Sequence, residues 1–274
     1  MLSNVDPYQT QQARSKRFAS PVTGDSGQSM RLDQALVERG LVQSRSRAAA
    51  LVKQGAVLVN GVTCRKVAHP VAAGDLLSAD KGEDYVSRGA FKLIGALDTF
   101  GPQGLPQPRG KYCLDIGAST GGFTDVLLRR GASQVIALDV GHGQLAPRLA
   151  SDERVREFSG VNIRQVEPGE LPFQPDYVVS DVSFISLTYV IPVIQRLALP
   201  GAHCLLLVKP QFEVGRGKLG HGGVVRQAER RQEALERVET CARTHNFTLR
   251  GRAPSPITGA HGNEEYLLWL QLGE

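Results

Sequence analysis

The longest apolar run of the chain ends in "CLLLVKPQFE" (residues 204–213), where three leucines and a valine lead into Lys209 and Pro210. A lysine delivered by a buried strand can do two kinds of chemistry. Neutral, it takes a proton from an attacking hydroxyl as a general base; charged, it stabilises the negative charge that develops on oxygen. Proline cannot continue a central ladder, so Pro210 fixes the strand end directly after the lysine. Asp181 in "VVSDVSF" occupies the tip of another apolar run, and two further charged groups are candidates: Lys92 in "SRGAFKL" and Glu265 in "GNEEYLLWL". A second ammonium about 4 Å from Lys209 would cost about 4 kcal/mol at an effective dielectric of roughly 20, which favours the neutral base. Two carboxylates in the same cluster would push the other way. Glu264 adjoins Glu265; in extended backbone the two point to opposite faces, so only one of them can join the cluster.

The segment "CLDIGASTGGFTDVLL" reads as a strand, a Gly-rich turn and a helix. Gly117, Gly121 and Gly122 let the backbone approach a ligand closely, with Ala118 and Ser119 in the same turn. Phe123, directly after it, packs beside that ligand or in the core. Asp139 ends the next strand in "ALDVG", where a carboxylate can accept both hydroxyls of an adenosine ribose. The spacing is G-x-x-x-G-G rather than G-x-G-x-x-G, which argues against a nicotinamide cofactor and for S-adenosylmethionine. Asn162 in "GVNIRQV" either contacts adenine or caps a turn. His142, His221 and His261 sit in Gly-rich loops without metal-ligand spacing, so no metal is expected.

These residues need elements to position them. From "KYCLDIG" onward strands and helices alternate through "QVIALDV", "DYVVSDVSF", "AHCLLLVKP", a long charged helix and two final strands. That order predicts an α/β fold with a doubly wound, mainly parallel sheet, whose ligands bind outside the carboxyl ends of the strands. Ahead of it, "RLDQALVERG" and "SRSRAAALVKQG" read as two short helices, the second with Ser44 as N-cap and Gly55 as its stop. "AVLVNGVTC" places two β-prone runs around Asn60-Gly61, a strong hairpin signal. Residues 31–79 hold seven Lys/Arg against three Asp/Glu, a surplus of +4, as expected of a polyanion-binding module. Its candidate phosphate contacts are Arg31, Arg45, Arg47, Lys53, Arg65 and Lys66, joined by Arg88 and, in the loop "EVGRGKLGHGG", by Arg216 and Lys218. Residues 1–29 are polar, show no hydrophobic period and are expected to be a flexible tail. The remaining boundaries are a small α+β domain over 30–80, a linker over 81–87 and the α/β domain over 88–274.

With 274 residues, 41% of them hydrophobic, the chain is long enough for one large core and a small extra domain. No apolar stretch approaches the roughly 18 residues of a membrane span, and the N-terminus lacks the apolar core of a signal peptide. A cytoplasmic monomer is expected. Cys64, Cys113, Cys204 and Cys241 are far apart and read as reduced thiols.

Residues 30–80 resemble the S4 RNA-binding domain. "YVSRGAFKL", "LDIGASTGGF", "ALDVGHGQL", "SDVSFISL", "LVKPQFEVGRGKLGHGGVVR" and "GNEEYLLWL", preceded by that segment, resemble the TlyA family of ribosomal RNA 2′-O-methyltransferases across roughly residues 30–272. The resemblance implies a class I, Rossmann-like methyltransferase domain of the FtsJ-like kind, with a seven-stranded, mostly parallel sheet and helices on both faces. It implies S-adenosylmethionine as cofactor, ribosomal RNA in ribosomal subunits as partner, and a cytidine ribose as target. It also implies a catalytic Lys-Asp-Lys-Glu set at Lys92, Asp181, Lys209 and Glu265. Two other readings compete. One is a methyltransferase acting on something other than RNA; the other is membrane activity, since relatives are sometimes labelled haemolysins, and the missing apolar span weighs against it.

Overall fold

The structure, a computed structural model, describes residues 17–18, 29–42, 44–79, 84–215, 221–259 and 262–274. It divides into two compact units, Met1–Asp84 and Tyr85–Glu274.

In the small unit, strand β1 (Arg17–Phe18) and strand β2 (Met30–Arg31) precede helices α1 (Leu32–Glu38) and α2 (Arg45–Gln54). Four further short strands follow: β3 (Val57–Val59), β4 (Val62–Thr63), β5 (Pro70–Val71) and β6 (Leu77–Ala79). Leu32, Ala35 and Leu36 share one face of α1 and meet Ala48, Leu51 and Val52 of α2 over Val57, Val59 and Leu77. Both punctuation marks of α2 behave as the sequence requires. The Ser44 side chain accepts the Arg47 N–H at 3.3 Å, and Gly55 closes the helix in the left-handed region at φ 76°. Asn60 and Gly61 turn the β3–β4 hairpin at φ 49° and 81°, the primed turn their types favour. Within residues 1–29, expected to be a flexible tail, Arg17–Phe18 pairs antiparallel with Ser78 and Ala79 on the edge of β6. A sheet edge offers backbone hydrogen bonds to any strand, so side-chain periodicity carries no notice of such a pairing.

The large unit opens with helix α3 (Ala90–Phe100) and strand β7 (Tyr112–Ile116). Then come α4 (Gly122–Arg129), β8 (Gln134–Asp139), α5 (Pro147–Ala150), β9 (Val155–Ser159), β10 (Tyr177–Ser180), α6 (Ile191–Leu197) and β11 (His203–Val208). It closes with α7 (Pro210–Glu213), α8 (Ala228–Thr244), β12 (Phe247–Pro254) and β13 (Tyr266–Leu272). The seven strands lie in the order β12-β13-β11-β10-β7-β8-β9. From β11 to β9 all are parallel; β13 alone is reversed, pairing antiparallel with both β11 and β12. Strand alternation sorts the apolar side chains onto two faces. Leu114, Ile116, Leu206 and Val208 pack under α6 and α8, whereas Cys113, Val179, Leu205 and Leu207 pack under α3 and α4.

The chain winds from β7 outward to β9 and then returns to β10 and outward again. The order therefore reverses between β7 and β10, and a crevice opens at their carboxyl ends, where doubly wound sheets bind ligands. The Gly-rich turn after β7 and Asp181 after β10 flank that point.

Candidate active site

Four charged side chains from four distant segments meet at the carboxyl edge of the sheet. Lys209 follows β11, whose antiparallel register with β13 sets Val208 opposite Tyr266; one step further, Lys209 and Glu265 leave their strands at the same level. Lys92 lies in the first turn of α3, and Asp181 directly follows β10. The Lys209 ammonium is 2.6 Å from Asp181 Oδ1, and that of Lys92 is 3.3 Å from Asp181 Oδ2 and 2.7 Å from Glu265 Oε2. The set is thus a linear relay, Lys209–Asp181–Lys92–Glu265, with as many carboxylates as ammoniums. It is also nearly dry: Lys92 and Lys209 are each 8% exposed and Glu265 is 3% exposed. Water screens such pairs poorly, and removing any one member strands a buried charge. Asp181 Oδ1 and Glu265 Oε2 are both buried, each held against an ammonium.

Of the two adjacent glutamates, Glu265 turns inward to Lys92, while Glu264 turns outward to Arg231 Nε at 3.3 Å. Gly259 lies against the Glu265 carboxylate, where a Cβ would collide with it.

Beside the relay is a cavity of about 540 Å³, which Asp181 also lines. Gly117 and Ser119 form part of its floor, and Asp139, Val140, Asn162, Ile163 and Phe184 line its walls. Gly117 stands at φ 84°, and a Cβ there would sit 3.1 Å from the Asp181 carbonyl oxygen. Only glycine keeps both the turn and the space. Asp139 accepts the Ser119 N–H at 2.8 Å through one oxygen and the Gly141 N–H at 2.7 Å through the other. Each oxygen retains a lone pair, so the carboxylate is fixed in place and still able to accept ribose hydroxyls. Volume, glycine floor, oriented carboxylate and apolar flanks together fit an adenosine-bearing cofactor. Asn162 caps a turn, its Oδ1 accepting the Arg164 N–H at 3.1 Å, and it also lines the cavity.

Other expected cofactor residues lie elsewhere. Phe123 is buried in the core with Leu145 and Leu149 rather than in the cavity, because the first turn of α4 points it between the sheet and α5. Gly122 serves packing: a Cβ there would strike Ser87 and the Ala90 amide at the start of α3. Gly121 is similarly crowded by Leu145 and Leu149, and neither it nor Ala118 lines the cavity.

Beneath the turn, Asp115 is fully buried and accepts the Thr124 hydroxyl at 2.7 Å through Oδ2, while its Oδ1 has no partner. Burial pushes its carboxyl up to about 7 against the hydrogen bonds from Thr124.

Three functional candidates escaped the sequence reading. Ser183 accepts a hydrogen bond from Lys209 Nζ at 2.7 Å. Phe184 is 91% exposed, holds φ 65° and lies tilted against Phe212 with ring centroids 5.1 Å apart; a bulky residue in that region of backbone space is strained. Glu213, buried, accepts from the Ser186 hydroxyl at 2.5 Å and the Leu187 N–H at 2.9 Å, pinning the far end of the same loop. A lone serine and a phenylalanine in "SDVSFISL" carry no period or spacing that would single them out.

In the small unit, Arg31 and Arg45 both pair with Asp33, each at 3.0 Å. Arg47 caps onto Ser44 through its backbone, Arg65 donates to the Lys53 carbonyl at 3.2 Å, and Lys53 and Lys66 are exposed. Arg88, in the large unit, is exposed as well. Arg216 and Lys218 lie outside the described residues, as does His261. Among the described residues no group of His, Cys, Asp or Glu could hold a metal ion, and no helix is long and apolar enough to cross a membrane.

The two units have recognisable relatives. Residues 85–272 match the FtsJ-like methyltransferase family, and residues 30–77 match the S4 domain. Over 243 residues, 88% of this chain and 89% of the other, the sequence is 44% identical to the 16S/23S rRNA (cytidine-2′-O)-methyltransferase TlyA of Mycobacterium tuberculosis. The chain belongs to the TlyA family. It is a methyltransferase with an S4 domain at its N-terminal side. Another family member, hemolysin A of Brachyspira hyodysenteriae, is 40% identical over 87% of this chain and 98% of its own. The solved structure of a candidate hemolysin from Streptococcus thermophilus superposes with a TM-score of 0.69 at 37% identity, covering 91% of this chain and 90% of that one. The haemolysin label thus attaches to proteins with the same two-unit plan.

Proposed function

We propose that this protein transfers a methyl group from S-adenosylmethionine to a ribose 2′-hydroxyl of a cytidine in ribosomal RNA, acting on ribosomal subunits as a cytoplasmic monomer. The observation that carries the reading is the dry relay of Lys92, Asp181, Lys209 and Glu265 beside a cavity that Asp181 also lines. The activity named for the Mycobacterium tuberculosis relative supports it.

In this reading Asp139 holds the cofactor's ribose hydroxyls, Gly117 admits its backbone-proximal portion, and Val140, Asn162 and Ile163 flank its base. Bound there, S-adenosylmethionine supplies an electrophilic methyl group on a sulfonium. The protein's share is to orient and deprotonate the attacking alcohol. A 2′-hydroxyl entering at the mouth of the cavity meets Lys209 Nζ and the Asp181 carboxylate. Its proton leaves either to a neutral Lys209 or, with Lys209 charged, to Asp181 or water while the ammonium stabilises the oxygen. Lys92 bridges Asp181 and Glu265 and so keeps Asp181 aimed. The exposed ring of Phe184 offers a stacking surface for a base turned out of its helix, as delivery of a ribose from folded RNA requires.

The test is methyl transfer from labelled donor to separated ribosomal subunits, with the ribose position mapped and Lys209→Ala run alongside. Label on a cytidine 2′-oxygen that disappears with the variant supports the reading; absence of RNA label from the intact protein would sink it.

A further inference from the structure

We propose that Asp33 makes a phosphate-gripping site out of Arg31 and Arg45 by holding both guanidiniums in one orientation, so that a carboxylate strengthens binding to a polyanion. The proposal rests on the reading of the small unit as an RNA grip.

Asp33 is 4% exposed, in the first turn of α1, and its neighbour Leu32 is locked in the core. Its own N–H donates to the Val67 carbonyl at 3.2 Å, which leaves the carboxylate little freedom to swing away. Arg31 donates through Nε at 3.0 Å and through Nη2 at 3.4 Å, one to each oxygen. Arg45, from the start of α2, donates through Nε at 3.3 Å and Nη2 at 3.0 Å, both to Oδ2. The two arginine side chains remain 50% and 59% exposed. Burial works against the ionised carboxyl, yet the two guanidiniums outweigh it and hold Asp33 below the usual carboxylate range. Two forks from separate elements are thereby fixed on one side chain, and each commits only part of its five donors to it.

Simple charge counting makes Asp33 a liability, since a carboxylate beside a phosphate repels it. Preorganisation predicts the opposite. A free arginine gives up rotamer freedom when it is immobilised on a ligand, and a prepositioned fork has given it up already. The two accounts differ in the sign of one measurement. Asp33→Asn keeps the shape and one acceptor oxygen but removes the charge.

The experiment measures binding of the full-length protein to purified ribosomal RNA between about 50 and about 200 mM salt, with thermal melting in parallel. Orientation by Asp33 predicts a roughly tenfold weaker Kd for Asp33→Asn, the scale of one charge-assisted hydrogen bond. It also predicts no further loss when Asp33→Asn is added to Arg31→Ala/Arg45→Ala. Equal or tighter binding by a folded Asp33→Asn overturns the proposal. Should that variant melt early, Arg31→Lys/Arg45→Lys keeps both charges and removes the forks; a roughly tenfold loss supports orientation, and unchanged affinity overturns it. Wild-type protein with no salt-dependent RNA binding removes the RNA reading itself and this proposal with it, a result visible before any variant is compared.

Discussion

Each unit of this protein contains a carboxylate shared by two cations, and the two clusters are built on opposite plans. Asp181 stands between Lys92 and Lys209, both nearly dry, at the ends of elements that the sheet core holds rigidly. Asp33 stands between Arg31 and Arg45, whose side chains are half in solvent. Lysine is a compact donor that can exchange a proton, whereas arginine is a permanently charged fork that matches phosphate oxygens. Burial and lysine suit a site that must hold one atom in place during bond-making. Exposure and arginine suit a surface that must meet an extended, hydrated polyanion. In the functions proposed above, the same charge arithmetic yields chemistry in one place and grip in the other.

The largest test of this contrast is Lys209→Ala. Methyl transfer is expected to fall by roughly 10²–10⁴-fold while RNA affinity holds; parallel losses in both would erase the division of labour. Next is Glu265→Ala, which strands Lys92 in a dry site. Breaking a buried pair of this kind costs about 3–5 kcal/mol, read as an earlier urea or thermal transition of the large unit.

Asp115 gives the third prediction, a pH effect. Burial lifts its folded pKa to about 7, well above the unfolded value near ~3.9. The folded state therefore binds the extra proton. Its contribution to stability is complete below about pH 4 and is lost as pH rises through about 7, to a total of about 4 kcal/mol at most. Urea melts from acid to neutral pH should show that decline in the wild type and not in Asp115→Asn.

Smaller still, Arg31→Ala/Arg45→Ala should weaken ribosomal RNA binding roughly tenfold and flatten its salt dependence by one or two phosphate contacts, leaving cofactor affinity alone. Smallest is Glu264→Ala. Its pair with Arg231 is at the surface, with the glutamate side chain 58% exposed, so stability should change by less than about 1 kcal/mol. The gap between Glu264→Ala and Glu265→Ala measures what one step along a strand is worth.

Much of this could be read directly from the chain. The β/α alternation, Ser44 and Gly55 at the ends of α2, and the Asn60-Gly61 hairpin are local rules that local structure obeyed. The Gly-rich turn and the place of Asp139 at a strand end were legible because a strand-turn-helix unit sets particular residue types at particular offsets. Phe123 was ambiguous for a physical reason: an aromatic after such a turn serves a cavity or a core equally well, and only the position of Leu145 and Leu149 decided for the core. The short strand Arg17–Phe18 was invisible because backbone pairing on an edge leaves no side-chain pattern. Ser183 and Phe184 were invisible because their roles depend on neighbours far away in the chain.

The sequence by itself determined the elements, the alternating apolar faces of the strands and the residue types available at each strand end, because these follow from local backbone preference and periodicity. Only the tertiary structure decided that Lys92, Asp181, Lys209 and Glu265 form one relay, that Glu265 rather than Glu264 joins it, and that Asp33 gathers two arginines. Those outcomes rest on strand order, antiparallel register and helix packing, which bring together groups that the chain keeps far apart.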